Sequence, residues 1–283
     1  MKRRLLPILM TLVLVCALPI WAAFVTSGDV TNPLVSTAGA ASPPEPVEVR
    51  TADGLQSNIT AGNSVKLMAD INITSTLKIS RSLTLDLNGC TLRMTGTGSV
   101  LKVSGRATLT ITDSSAAKSG TITGGNAEDG DGGGVCVEAY ATLEMTGGCI
   151  TDCHAIYGGG IYSCENLYMG GTAKIEKCTS NGGSYDAIWN KGGDMYADGG
   201  TVDGTVNNQG TIKHSNGVTA VTVFKKAVYN QQAGTIEAGM YNETVENNGT
   251  IIGGTFYGAV TIQKGYWGWE RTGSISGGTF YGP

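Results

Sequence analysis

The residues best suited to chemistry in this chain are few, and most stand apart from one another. Glu128-Asp129-Gly130-Asp131-Gly132 is its densest acidic stretch. Hard oxygen ligands on a Gly-rich loop suit Ca²⁺, so Asp129 and Asp131 are the candidate calcium ligands, with a solvated inter-strand turn as the plain alternative. Cys149, Cys153 and His154, taken with Cys178, form the only grouping with any flavour of a soft-metal site, but their spacing fits no zinc pattern. The two histidines, His154 and His214, lie in different kinds of segment, and each reads as a surface residue beside a turn. No run pairs a nucleophile with a base, so no catalytic residue is assigned. The clearest binding feature is aromatic: Tyr266, Trp267 and Trp269 lie almost side by side. Rings of this kind stack on sugar faces and on partner surfaces, though one pair could equally fill a core.

What must position these residues is a repeat. GGGVCVEAYATLEMTGGCITDC (132–153) aligns with GGGIYSCENLYMGGTAKIEKC (158–178), matching Gly132 with Gly158, Met145 with Met169, Ile150 with Ile175 and Cys153 with Cys178. A second pair, GGTVDGTVNNQGTI (199–212) and AGMYNETVENNGTI (238–251), matches at a single, longer offset, and GGTFYG occurs at both 253–258 and 277–282. Inside these units the apolar period is two, as in Leu83/Leu85/Leu87 and Leu109/Ile111, with Gly, Asn, Asp and Ser between the runs. A short unit of such strands cannot bury its apolar side alone, but units coiled one upon another share a continuous core. The expected fold is therefore all-β, a parallel β-helix solenoid of about nine rungs with units of about 24 residues.

Three further expectations follow from that coil. Asn190, Asn208, Asn230 and Asn248 should mark tight corners and stack along the axis. Cys153 and Cys178 should lie on neighbouring rungs, close enough for a disulfide although side chains stacked in register point in parallel. Shifting by one unit puts Glu144 on Tyr168 and Asp152 on Lys177, so no ladder of carboxylates forms. Glu138 and Glu165 come nearest to one.

LTLDLNGCTL (83–92), the GGGV and GGGI starts and TLEMTGGCI make the chain similar, over roughly residues 60–283, to bacterial surface proteins with a pectin-lyase-like β-helix. They also resemble the polymorphic outer-membrane-protein repeats. The resemblance implies right-handed winding. Enzymes of this fold cut acidic polysaccharides with a carboxylate cluster for Ca²⁺ and an Arg or Lys base, or with paired carboxylates. Neither arrangement is evident in this sequence.

The N-terminus begins MKRRLLPILMTLVLV, a basic n-region before an apolar stretch, with Ala38-Gly39-Ala40 as a cleavage-type site. Residues 1–40 thus read as a signal peptide and 41–54 as a Pro-rich spacer. Residues 55–283 form the β-helix, with 55–62 as a capping helix at its front. RTGSISGGTFYGP (271–283) reads as an ordinary unit without a cap, so the sequence is expected to be the front part of a longer repeat protein, prone to end-to-end association. A net charge of −4 and the lack of a basic stripe argue against nucleic acid. Membrane contact is expected only through the signal segment. These observations describe an exported, non-catalytic, adhesin-like or stalk-like protein with a glycan or a cell-surface protein as partner. A polysaccharide-binding or polysaccharide-degrading β-helix is the alternative.

Overall fold

A computed structural model describes residues 44–181, 187–262 and 273–283. The signal segment, residues 182–186 and the stretch that holds Tyr266, Trp267 and Trp269 lie outside them. The described chain is all-β apart from one helix, and its named strands pair in parallel. Each passage of the chain lays down up to four strands, three of them in long columns, and each strand pairs with its counterpart in a neighbouring passage. The result is three columns of stacked strands, consistent with a β-helix solenoid.

The first column runs from Val47–Val49 through Leu83–Asp86, Thr108–Thr112 and Thr142–Met145 to Ser274–Ile275. The second runs from Ile71–Ile73 through Thr91–Met94 to Thr279–Phe280. These two merge where Leu167–Glu176 and Asp194–Asp203 pass through the corner without a break. The third is a sheet of nine strands from Leu77–Ile79 to Val260–Thr261.

The alternation that defines the strands places alternate side chains inside, where register turns them into ladders. Leu85, Ile111, Met145, Met169 and Ala197 follow one another in the first column, all buried. The second column carries Ile71, Leu92, Ile122, Ile150, Ile175 and Val202, then changes to rings at Phe224, Tyr241, Phe256 and Phe280. Those four rings are nearly parallel, with centroids 4.9, 4.8 and 4.9 Å apart. The recurrence of GGTFYG is explained here. Phe256 stacks on Phe280 within the coil, while Tyr257 and Tyr281 stack outside it at 5.0 Å.

Coil length is not uniform, which corrects the expectation of a constant unit. In the third column Leu101 pairs with Val135 across a long coil, whereas Val228 pairs with Val245 and Val245 with Val260 across much shorter ones. The longer offset between the repeated segments 199–212 and 238–251 is two coils: Val206 pairs with Val228, and Val228 with Val245. The change to aromatic rings coincides with the short coils. A short coil contributes fewer inward side chains, and larger ones fill the space at interior density.

Helix Ala52–Ala61 packs against the first strands of all three columns, with Leu55 and Ile59 buried. Thr51 caps its N-terminus by accepting from the Gly54 N–H at 3.1 Å, and Gly62, at φ 82°, closes its C-terminus.

The asparagines differ from expectation in two ways. The stack is Asn190, Asn208, Asn230 and Asn247, because Asn230 is in register with Asn247. Asn248 lies one residue beyond it, and its Oδ1 has no hydrogen-bond partner among the described residues. Nor do these residues form left-handed corners. Among non-glycine described residues those corners belong to Asn88, Arg106, Lys118, Tyr140, Asp152 and Lys177. The ladder asparagines sit at strand ends, fully buried, each amide bonded to the next.

Candidate functional site

Outward positions of the third column also form a ladder. Lys78, Lys102, Cys136, Tyr162 and Trp189 are in register on successive strands, at about 4.8 Å intervals. Three of the longer coils insert an additional strand between the second and third columns: Asn126–Ala127, His154–Ala155 and Thr179–Ser180. The insertion accounts for the GGG starts. A Cβ on Gly159 would lie 2.1 Å from the Thr179 carbonyl oxygen and one on Gly133 2.4 Å from that of His154, so only glycine lets these backbones approach.

The segment Glu128–Asp131 leaves the first inserted strand and rises beside the lysine end of the ladder. Backbone bonds pin it to the next coil, from Ile156 N–H to the Gly130 carbonyl at 2.8 Å and from Gly132 N–H to the Tyr157 carbonyl at 3.0 Å. Between this wall and the strands lies a groove of about 890 Å³. Its floor is Lys78, Lys102, Cys136, Tyr162 and Cys164, and Glu138, two residues beyond Cys136, also lines it.

The groove carries charge of both signs. Lys102 Nζ lies 2.7 Å from Glu138 Oε1, a bond that raises the lysine pKa. Burial raises the Asp131 carboxyl, with the Lys191 charge acting against it. Burial also pushes the Cys136 thiol up to about 11 and raises the Tyr162 phenol, whose ring lies 5.7 Å from Lys191 Nζ.

Of the residues singled out by sequence, Asp129 and Asp131 line this groove, while Tyr266, Trp267 and Trp269 lie outside the described residues. Among the described residues no three His, Cys, Asp or Glu side chains converge to hold a metal ion. Cys153 and Cys178 are buried free thiols placed between two register pairs, Thr151 with Glu176 and His154 with Thr179. Cys153 Sγ donates to the Thr151 carbonyl at 3.3 Å and Cys178 Sγ to the Glu176 carbonyl at 3.4 Å, and the neighbouring Cys153 thiol, followed by burial, pushes the Cys178 thiol well up.

His154 has both ring nitrogens engaged, with Thr179 Oγ1 at 2.8 Å and Asn181 Oδ1 at 3.0 Å. His214 and Ser215 both contact Asp198, but the Ser215 hydroxyl donates to the carboxylate at 2.5 Å and is not aimed at the imidazole. That order differs from the serine–imidazole–carboxylate relay, in which the hydroxyl donates to the imidazole. Glu144 pairs with Tyr168 as the spacing implies. Glu138 comes opposite Cys164, one position short of Glu165, so the two carboxylates are not in register.

The sequence reading missed Lys78, Lys102, Glu138 and Tyr162 as a group. The signal available was the central lysine shared by Leu77-Lys78-Ile79 and Leu101-Lys102-Val103. The next coil, lengthened by the inserted strand, hid the continuation of that ladder to Cys136 and Tyr162.

Fold and site together define an all-β protein of stacked parallel sheets with a polar groove on the outer face of one column. No family model, curated protein or solved structure matches the chain.

Proposed function

We propose that this chain is an exported, non-catalytic, right-handed β-helix that binds carbohydrate in the groove over Lys102 and Tyr162, acting as an adhesin-like or stalk-like surface module. The observation that carries the proposal is the groove itself. It is concave and open, large enough at about 890 Å³ for a short oligosaccharide, with an aromatic ring and hydrogen-bonding side chains on its floor. Tyr162 is buried, so a sugar here would be held chiefly by the polar side chains of floor and wall, with the ring at their edge. The floor is a sheet and the wall is pinned by backbone bonds, so the site is largely preformed.

A glycan array probed with the purified chain tests this. Binding should weaken at least about tenfold in a Lys102→Ala/Glu138→Ala double variant that keeps its circular dichroism. Unchanged binding in that variant would place the glycan elsewhere. Protection of Cys164 from thiol reagents by the bound sugar gives a second readout.

The second reading, a polysaccharide-degrading enzyme, is favoured by one feature: Asp131, a carboxyl raised by burial, lies in the same groove as Glu138. A screen of lyase and hydrolase substrates decides between them. Turnover that disappears in Asp131→Asn would establish the enzyme.

A further inference from the structure

We propose that the groove is built for a zwitterionic sugar, its anionic group held by Lys78 and Lys102 and its ammonium group by the Glu128–Asp131 wall. The proposal rests on the carbohydrate-binding reading and goes further by naming the charge pattern of the ligand. Lys78 and Lys102 are register partners on adjacent strands, so two ammonium groups project side by side from positions about 4.8 Å apart. Like charges directly opposite one another are unfavourable. Only one of the two is compensated, because Glu138 pairs with Lys102 at 2.7 Å and no ion pair joins Lys78 to any carboxylate among the described residues.

Across the groove the imbalance is reversed. Glu128 accepts the Asn126 side-chain amide at 3.0 Å, and among the described residues no salt bridge joins Asp129 or Asp131 to a lysine, the Lys191 charge acting on Asp131 only from beyond salt-bridge distance. The two poles line one cavity without closing on each other, since backbone bonds fix the wall and the sheet fixes the floor. A simple anion entering here meets the acidic wall, and a simple cation meets the lysines. A pyranose bearing a carboxylate and an amine satisfies both poles and is rejected by neither.

Four sugars on one ring scaffold test this: N-acetylglucosamine (neutral), glucuronic acid (anionic), glucosamine (cationic) and muramic acid, which carries both a free amine and a carboxylate. Binding to the full chain would be measured by saturation-transfer NMR and calorimetry. Muramic acid should bind at least about tenfold more tightly than the other three. Lys78→Met should remove the advantage over glucosamine, and Asp129→Asn should reduce the advantage over glucuronic acid. Both side chains are exposed, so both variants should fold.

Glucuronic acid or glucosamine binding as tightly as muramic acid would overturn the zwitterion proposal and leave the carbohydrate groove standing. Array hits that depend on Lys102 and Glu138, with no response to muramic acid, would do the same. Absence of binding in both the array and the four-sugar panel would remove the underlying reading as well.

Discussion

Asn208 donates through Nδ2 to Oδ1 of Asn230, its register partner one coil on, at 2.8 Å, with both side chains fully buried. The same bond joins Asn190 to Asn208 at 2.8 Å and Asn230 to Asn247 at 2.7 Å. Each of the first three amides also donates to a carbonyl of the following turn, at Gly193, Gly210 and Gly234. A buried amide is stable when its donors and acceptors are met, and here each of the first three amides supplies a donor to the acceptor of the residue one coil on.

Replacing Asn208 by Ala interrupts the run in the middle. Asn230 Oδ1 loses its donor, and the Gly210 and Thr235 carbonyls lose the Asn208 amide. The expected cost is on the order of 2–4 kcal/mol, from about 1–3 kcal/mol for each buried group left unmet. Urea unfolding of Asn208→Ala beside the parent protein measures it, and a loss below about 0.5 kcal/mol would show that the ladder carries little stability.

The ladder has a faulty first step. Among the described residues Asn190 Oδ1 has no hydrogen-bond partner, because its register partner in the preceding coil is Ser163, whose hydroxyl donates instead to the Glu165 carbonyl at 2.7 Å. Ser163→Asn should supply the missing amide and raise stability by about 1 kcal/mol, the net worth of a typical hydrogen bond. A higher melting temperature is the expected outcome. A lower one would mean that the added volume strains the corner.

Asp113 links stability to pH. Burial pushes its carboxyl up, but hydrogen bonds from Ser115, Gly120 and Gly89 outweigh burial and hold it below the usual value. A carboxyl lowered on folding contributes stability that is fully present above its unfolded value of about 3.9 and lost as pH falls through the folded value. The parent should therefore lose stability below about pH 4, and part of that dependence should vanish in Asp113→Asn. The variant should also be weaker at neutral pH by on the order of 1–3 kcal/mol, since an amide cannot accept the three bonds that Gly89, Ser115 and Gly120 give the carboxylate. Denaturation series at pH 3, 4 and 7 would show whether the two curves converge in acid.

Cys153 and Cys178, facing each other inside the coil at 1% and 6% exposure, should resist thiol reagents in the folded protein. Titration with a chromogenic disulfide should leave both unmodified until denaturant is added. Peptide mapping that finds either one labelled under native conditions would show that this corner opens.

How much of this was legible in the sequence depends on what each signal encodes. The alternation at Leu83, Leu85 and Leu109, Ile111 encodes burial directly, so the strands could be read. Cys153 and Cys178 fall at the right offset because their two coils are equally long over that stretch. Nearness to a following glycine suits Asn247 and Asn248 alike, whereas the alignment of 199–212 with 238–251, which sets Asn208 against Asn247, is the signal that separates them. The groove was only half legible. Asp129 and Asp131 announce themselves by local density, whereas Lys78, Lys102, Glu138 and Tyr162 meet only through the register of separate coils. An isolated lysine between two apolar residues looks the same on a bare surface as on a cavity floor.

The two-coil offset has a consequence for inheritance. Val206 to Thr244 is a two-coil cassette whose removal would join Thr205 to Val245 and bring Asn247, Ile251 and Phe256 to the places of Asn208, Ile212 and Phe224. The amide run, the aliphatic column and the ring stack would each close over the seam with like residues. Such a chain can be lengthened or shortened by whole cassettes with its three ladders intact, shortening losing side-chain contacts such as those of His214 and Ser215 with Asp198. The groove, made by coils that precede the cassette, would be inherited unchanged.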